Sequence, residues 1–322
     1  MRLNRIKAVA GAAAAALLVV TALAGCSSDS DDSGSGGGGK WAKSSGTLVF
    51  GTVPDKAGSD SNWKPLEDYI AKKTGYKVEF YPTADYTALI AAAVAGKVDV
   101  AAFSGLTYVQ ATNKGAELNV ASSVIASKGL TDPGYYSEAI VPAGSSITTL
   151  AGAKGKKVCF VDPNSTSGFL FGLLALQKAG LNVKSSGQDA SGAPKFDDFT
   201  ATFAGSHDKS VQAVGAKQCD VGFAEDSEAE PAAKKGTLKV IGKEYVPGGP
   251  LVYSKNLPQD AQDKIKPVLS SITLDQITAA GVDATEAFQE GFQAAKPETD
   301  DYYKSIRDIC EQIPAAKCAP TS

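Results

Sequence analysis

One strand–loop–helix unit constrains the fold of this chain more than any other stretch. Lys157-Val158-Cys159-Phe160-Val161 reads as a strand. It runs into the polar loop Asp162-Pro163-Asn164-Ser165-Thr166-Ser167-Gly168, and then into an apolar run from Phe169 to Ala179 closed by Gly180. Gly180 stands where a helix C-terminus favours a residue tolerant of positive φ. Three consecutive hydroxyls and a glycine therefore mark a helix start. The unpaired N–H groups and positive dipole end of a helix suit an oxyanion there. The hydroxyls add donors, and Gly168 would let the anion approach the backbone closely. No Gly-Lys-Ser/Thr sequence follows, which excludes a nucleotide P-loop. Plain capping of the helix by Ser or Thr is the competing explanation.

The same alternation runs along most of the chain. Strands are expected at Thr47–Thr52, Lys77–Tyr81, Val98–Phe103, Leu118–Ile125 and Tyr135–Val141, with helices at Pro65–Thr74, Tyr86–Ala95 and Gly105–Asn113 between them. A second block repeats it from Lys157 to Val246. A returning strand at Leu251–Tyr253 and helices at Gln259–Ser271, Leu274–Ala280 and Asp300–Gln312 complete the chain. This pattern predicts an α/β protein with largely parallel sheets. Pro and Gly at Val141-Pro142-Ala143 and Val246-Pro247-Gly248-Gly249-Pro250 fit two connectors between lobes. The expected lobes are residues 46–142 plus 248–322, and residues 143–247, around a cleft. No internal repeat is evident.

The N-terminus sets the compartment. Arg2, Arg5 and Lys7 precede an alanine-rich apolar run from Ala8 to Ala24, the pattern of a signal peptide. Leu23-Ala24-Gly25-Cys26 resembles a bacterial lipobox, which implies cleavage after residue 25 and a lipid anchor on Cys26 at the extracytoplasmic face of the membrane. Residues 26–45 are expected to be a disordered tether, Ser27 to Gly39 being Ser, Asp and Gly only. Loss of the leader's three cations takes the formal charge from −3 to −6, which leaves no nucleic-acid footprint and requires any anion site to be local. Four cysteines remain after Cys26, an even number in an oxidising compartment. Cys159–Cys219, in two strand-like segments, and Cys310–Cys318, close in sequence, are the favoured pairs. A metal site is disfavoured, because no Cys-x-x-Cys occurs and His207 is the single histidine.

Several elements occur in an order that carries a family resemblance. They are Gly51-Thr52-Val53-Pro54, Ala84-Asp85-Tyr86, Gly96-Lys97-Val98-Asp99-Val100-Ala101, Gly105-Leu106-Thr107-Tyr108, Pro133-Gly134-Tyr135-Tyr136, Asp162 to Leu170, Ser206-His207-Asp208, Cys219-Asp220-Val221-Gly222 and Val246 to Val252. Together they resemble the phosphonate/phosphite-binding lipoproteins of ABC importers over about residues 47–275. The resemblance implies a two-lobe type II periplasmic binding protein fold with a hinge and an interlobe ligand cleft. It implies capture of a phosphorus oxyanion (phosphonate, phosphite or phosphate), delivery to a membrane permease, no cofactor, no catalysis and a monomer. Carried over by position, Ser165, Thr166 and Ser167 match the oxyanion loop, His207 the cleft histidine, and Tyr86 and Tyr135 the tyrosines that donate hydroxyls. A family acid aligns loosely near Asp226, Ser227 and Glu228, and Asp226 joins the expected ligand set.

With no Arg or Lys in the motif, binding would lean on hydroxyls, the helix dipole and His207. As a neutral imidazole His207 would donate one hydrogen bond; as imidazolium, raised in pKa by a bound dianion, it would add a charge. The acid that holds a ligand ammonium in aminoalkylphosphonate binders is replaced by Gly249, so a compact oxyanion is expected to bind at least as well as an aminated one. Two other readings remain. One is the same fold binding a sulfonate or other small anion. The other is a secreted hydrolase, for which neither Gly-x-Ser-x-Gly nor a His/Asp cluster is present. Gly187 to Phe203 looks longer than its family counterpart.

Overall fold

The computed structural model describes residues 39–190 and 192–318. The leader, Cys26 and most of the tether therefore lie outside the described residues. In chain order, β1 (Thr47–Thr52), α1 (Ser59–Thr74), β2 (Lys77–Tyr81), α2 (Tyr86–Val94), β3 (Val100–Ala102), α3 (Gly105–Asn113) and β4 (Leu118–Ile125) form the first block. The second block holds β5 (Gly134–Pro142), β6 (Lys157–Phe160), α4 (Phe171–Lys178), β7 (Gly187–Gln188), β8 (Pro194–Lys195), β9 (Thr200–Phe203), α5 (His207–Gly215), β10 (Val221–Glu225), α6 (Asp226–Lys234) and β11 (Leu238–Pro247). The chain then returns through β12 (Pro250–Ser254), α7 (Gln259–Ser270), β13 (Ile272–Thr273), α8 (Leu274–Ala279), α9 (Glu286–Gly291), β14 (Ala294–Pro297) and α10 (Lys304–Gln312).

One half of the main sheet runs β2-β1-β3-β12-β4, with β14 on β4, and the other holds β11, β5, β10, β6 and β9. Pairing is parallel at β1–β2, β1–β3, β10–β6 and β6–β9, but antiparallel where β5, β11, β12 and β14 return. The sheet is thus mixed rather than largely parallel. Within the sheet, the two halves are joined among the described residues by one strand pair, Ile125 with Gly134. The first crossing therefore lies between Ile125 and Gly134. It is earlier than the Val141-Pro142-Ala143 turn suggested, because β5 pairs along its whole length with β11 and makes residues 134–142 part of the second half. β11 ends at Pro247 and β12 begins at Pro250, so Gly248-Gly249 carries the chain back to the first half.

The two connectors lie side by side. Val124 N–H donates to the Gly249 carbonyl (3.0 Å), and Tyr303 OH to the Gly248 carbonyl (3.0 Å). Tyr245 OH donates to the Pro133 carbonyl (2.6 Å), as does Tyr302 OH. A Cβ on Gly248 would sit 2.0 Å from the Val124 carbonyl oxygen, so only glycine permits this approach.

Among the described residues, two large apolar clusters and a smaller one around Ile140, Val214 and Leu238 form the core. One packs Leu48, Phe50, Leu66, Ile70, Leu251 and Ile265 between α1, α7 and the first half of the sheet. The other joins Phe160, Phe169, Leu173 and Phe223 of the second half to Leu89, Leu106 and Tyr303. Within the expected tether, Trp41 and Ala42 are half-buried against the first half. Trp41 meets Tyr76 edge-on at 5.0 Å, and Ala42 N–H donates to buried Asp99 (2.9 Å). Cys159–Cys219 joins β6 to the entry of β10, and Cys310–Cys318 staples the end of α10.

Candidate ligand-binding site

A cavity of about 80 Å³ lies between the halves, lined by Tyr86, Tyr135, Ser165, His207, Asp55 and Glu225, with Thr52, Trp63, Phe103, Ser104 and Gly249 completing the wall. Elements of both halves present their ends here. Tyr86 is the first residue of α2, whose N-cap Asp85 accepts from Ala88 N–H (2.7 Å). Asp55 follows β1, its Oδ1 fixed by Lys56 N–H (2.9 Å) and Ser59 Oγ (3.2 Å). Ser165 caps one turn of π-helix, Thr166–Leu170, that leads into α4, and its Oγ accepts from Gly168 N–H (3.1 Å). A hydroxyl that accepts from the backbone keeps its own proton for a ligand. His207 opens α5, and Glu225 ends β10.

The cleft is shut across its width. His207 N–H donates to the Asp55 carbonyl (2.8 Å), Leu106 N–H to Thr166 Oγ1 (2.8 Å), and Thr107 Oγ1 to the Asn164 carbonyl (3.0 Å). Tyr86 is 1% exposed, Ser165 1% and His207 3%.

This enclosure sets the electrostatics. Burial pushes His207 down to about 4 against the pull of Asp55, Glu228 and Asp208. Its Nδ1 accepts Glu225 N–H (2.9 Å), which leaves the neutral ring with its proton on Nε2. His207 is therefore a neutral donor here, one of the two forms that the sequence left open. Burial, with Glu225 next, raises Asp55 to about 7; burial, with Glu228 next, raises Glu225 to about 7. Burial also lifts the Tyr86 and Tyr135 phenols above their ordinary range, so both keep their protons as donors.

The structure brings Tyr86, Tyr135, Ser165 and His207 to one cavity. Thr166 and Ser167 stand behind it. Thr166 bridges the halves through Leu106, and the buried Ser167 Oγ has no hydrogen-bond partner among the described residues. Asp226 does not line the wall. Its carboxylate is held outside by Ser127 Oγ (2.5 Å) and Tyr136 N–H (3.1 Å), because α6 turns it away one residue after Glu225. Gly168 serves packing rather than anion approach: a Cβ there would lie 2.3 Å from Val161 Cγ2. Of the described residues in the Gly187–Phe203 stretch, none lines the cavity. They form the β7–β8 hairpin and edge strand β9.

Asp55 and Glu225 escaped the sequence reading. Both sit at the C-terminal ends of strands near the crossing between halves, where ligands of open α/β sheets collect. That position was the available signal. Gly249 lines the cavity, but a Cβ on it would meet the Phe103 carbonyl oxygen at 2.2 Å. Gly249→Asp is therefore expected to yield little folded protein, rather than to install an acid. A soluble variant with the wild-type melting temperature would contradict this.

Two α/β halves joined by paired connectors and shut over a small cavity of mixed polar and apolar lining define a solute-binding protein of the type II periplasmic class. The chain belongs to the phosphonate periplasmic substrate-binding proteins of ABC transporters, whose family model matches residues 50–303. The "Phosphate-import protein PhnD" of Mycolicibacterium smegmatis is 32% identical over 84% of this chain and 87% of its own length. The "Phosphonates-binding periplasmic protein" of Escherichia coli is 34% identical over 68% of this chain and 64% of its own. Among solved structures, PhnD1 of Prochlorococcus marinus in complex with methylphosphonate superposes with a TM-score of 0.67 at 21% identity, covering 84% of this chain and 98% of that one. No helix among the described residues is long and apolar enough to cross a membrane.

Proposed function

We propose that this chain captures a compact phosphorus oxyanion outside the cytoplasm and delivers it to a membrane permease. One observation carries the reading. Hydroxyls and a neutral imidazole converge with helix N-termini in a closed cavity whose volume, about 80 Å³, is far below that of pockets for drug-sized ligands. Neutral donors and helix dipoles stabilise an anion without a buried cation. The names of the curated relatives, phosphate import and phosphonate binding, point the same way. In this reading the protein is a monomer anchored by lipid on Cys26, with Ser27 to Gly39 as its leash and no cofactor.

Calorimetry on the domain from Gly39 with phosphate, phosphite, methylphosphonate, 2-aminoethylphosphonate and methanesulfonate tests this. A phosphorus oxyanion is expected to bind tightest; preference for the sulfonate would overturn the reading. Tyr86→Phe and Tyr135→Phe each remove one hydroxyl donor to a charged ligand. Each is expected to weaken binding by about 1.5–3 kcal/mol, roughly ten- to hundredfold. Unchanged affinity in both would remove the tyrosines from the site. Turnover of a chromogenic phosphate ester would instead favour a hydrolase.

A further inference from the structure

Lys56 lies on the loop between β1 and α1, and its ammonium meets one acid from each half. It stands 3.5 Å from Glu228, in the first turn of α6 in the second half, and 3.5 Å from Glu290, in α9 of the first. Among the described residues, Lys56–Glu228 is the ion pair that joins the halves; the others each lie within one half. The Lys56 backbone is fixed, its N–H donating to Asp55 Oδ1 (2.9 Å) and its carbonyl accepting from Ser59 Oγ (2.7 Å), so any motion belongs to the side chain. The Lys56 and Glu228 side chains are 12% and 19% exposed, and Glu290 is 47% exposed. Solvent and salt therefore screen the pair between halves less than an open surface pair. Burial works to discharge the ammonium, but Glu225, Glu228, Asp55 and Glu290 hold its pKa above the ordinary lysine value, so it stays a cation. A close contact between ammonium and carboxylate runs at about 2.7–2.9 Å. Two contacts at 3.5 Å describe one ammonium shared between two acids, each drawing it from the other.

We infer that Lys56 is a two-position latch, shared by Glu228 and Glu290 when the halves are shut and held by Glu290 alone when they part. α6 carries Glu228 away with the second half, whereas Glu290 stays with Lys56. Opening then exchanges a shared contact for a single closer one and strands no half-buried charge, which would be costly. The two acids oppose each other in this scheme. Glu228 favours the shut form, and Glu290 favours the open form by competing for the same ammonium. Because the ion pairs nearly balance, the ligand decides whether the halves stay shut. This rests on the proposed function for the ligand that closure serves, and on the contacts of Lys56 for the latch itself.

The test compares the full chain in detergent with Glu228→Gln and Glu290→Gln, which keep the side-chain shape and remove the charge. Release of phosphate and of methylphosphonate is followed by stopped-flow fluorescence of Trp63, which lines the cavity. Closure without ligand is followed by hydrogen exchange at the His207 amide, which bridges to the Asp55 carbonyl across the halves. Glu228→Gln is expected to speed both release and exchange by about three- to tenfold, and Glu290→Gln to slow both by about as much, since Lys56 then pairs with Glu228 alone. The opposite signs separate a latch from plain repulsion: if the two acids only repelled the anion, both variants would slow its release. Shifts of the same sign, or none in either variant, overturn the latch while leaving phosphorus capture intact. Should wild type bind neither anion, the proposed function falls. Opposite shifts in His207 exchange would then still support the latch, and equal ones would overturn it.

Discussion

Replacing Cys159 and Cys219 together with alanine is expected to lower stability by about 4 kcal/mol. The bond spans 60 residues, and closing a loop of that length in the unfolded chain is worth roughly this much in the chain-entropy account. The Cys310–Cys318 bond closes only 8 residues, and the same account gives it about 2.5 kcal/mol. The larger loop carries more than length. It contains the Ser165 loop, α4 and His207, the part of the second half that faces the cavity. Cys159 lies in β6 opposite Gly222 of the adjacent parallel β10, and Cys219, just before that strand begins, comes within 5.8 Å of it (Cα–Cα). At 2–4 °C per kcal/mol for a domain above 150 residues, the first pair should lower the melting temperature by about 10 °C. Urea titration of the two double variants is the measurement. A loss at Cys159/Cys219 no greater than at Cys310/Cys318 would show that loop length does not govern these bonds.

How much of this was legible in the residues follows from the range of the forces involved. The βα units were legible, because period, caps and glycines are local signals. α3 begins and ends at Gly105 and Asn113 as its pattern predicts, and Gly180 has φ +89° after α4. The halves were harder. β5 carries Pro142 at its end, which reads as a connector, yet its partners β10 and β11 lie some eighty to a hundred and ten residues further on. Strand pairing over that distance leaves no local trace. α1 begins at Ser59 rather than Pro65, because Gly58 at φ +78° starts it nearly two turns earlier. Of the residues that line the cavity, Ser165, His207 and the two tyrosines were legible by motif. The tautomer of His207 was not, because it depends on Glu225 N–H reaching Nδ1 from the next element. Asp55 and Glu225 were missed for the same reason. An acid at a strand end looks solvated until another lobe closes over it.

That closure gives the carboxyls a measurable effect on stability. Asp55 is raised from 3.8 to about 7 by burial and then by Glu225, with His207, Lys56 and Ser59 opposing. Glu225 is raised from 4.5 to about 7 by burial and then by Glu228 and Asp226, with Lys56 and Ser227 opposing. Between about pH 4 and pH 7 the folded chain therefore holds protons that the unfolded chain has released. Stability falls as pH rises through that window and levels off above it. His207 runs the other way. Lowered to about 4, it stays neutral when folded while the unfolded ring gains a proton below about 6.5, so its share of stability is lost as pH falls. Two acids outweigh one imidazole, and the ligand-free protein should lose stability from pH 5 to pH 8. Asp55→Asn/Glu225→Gln removes both carboxyl titrations and keeps the local acceptors for Lys56 N–H, Ser59 and Ser227. Each tenfold change in a carboxyl's proton affinity on folding is worth about 1.4 kcal/mol, less where solvent reaches Asp55. The double variant should therefore exceed wild type by about 2–5 kcal/mol at pH 8 and match it near pH 4. Denaturant unfolding at pH 4, 6 and 8 without ligand measures this. A constant difference across the three pH values would mean that the carboxyls affect packing and not charge. A gap that opens with pH would show that the site holds its acids at the expense of stability, as a place built for a ligand does.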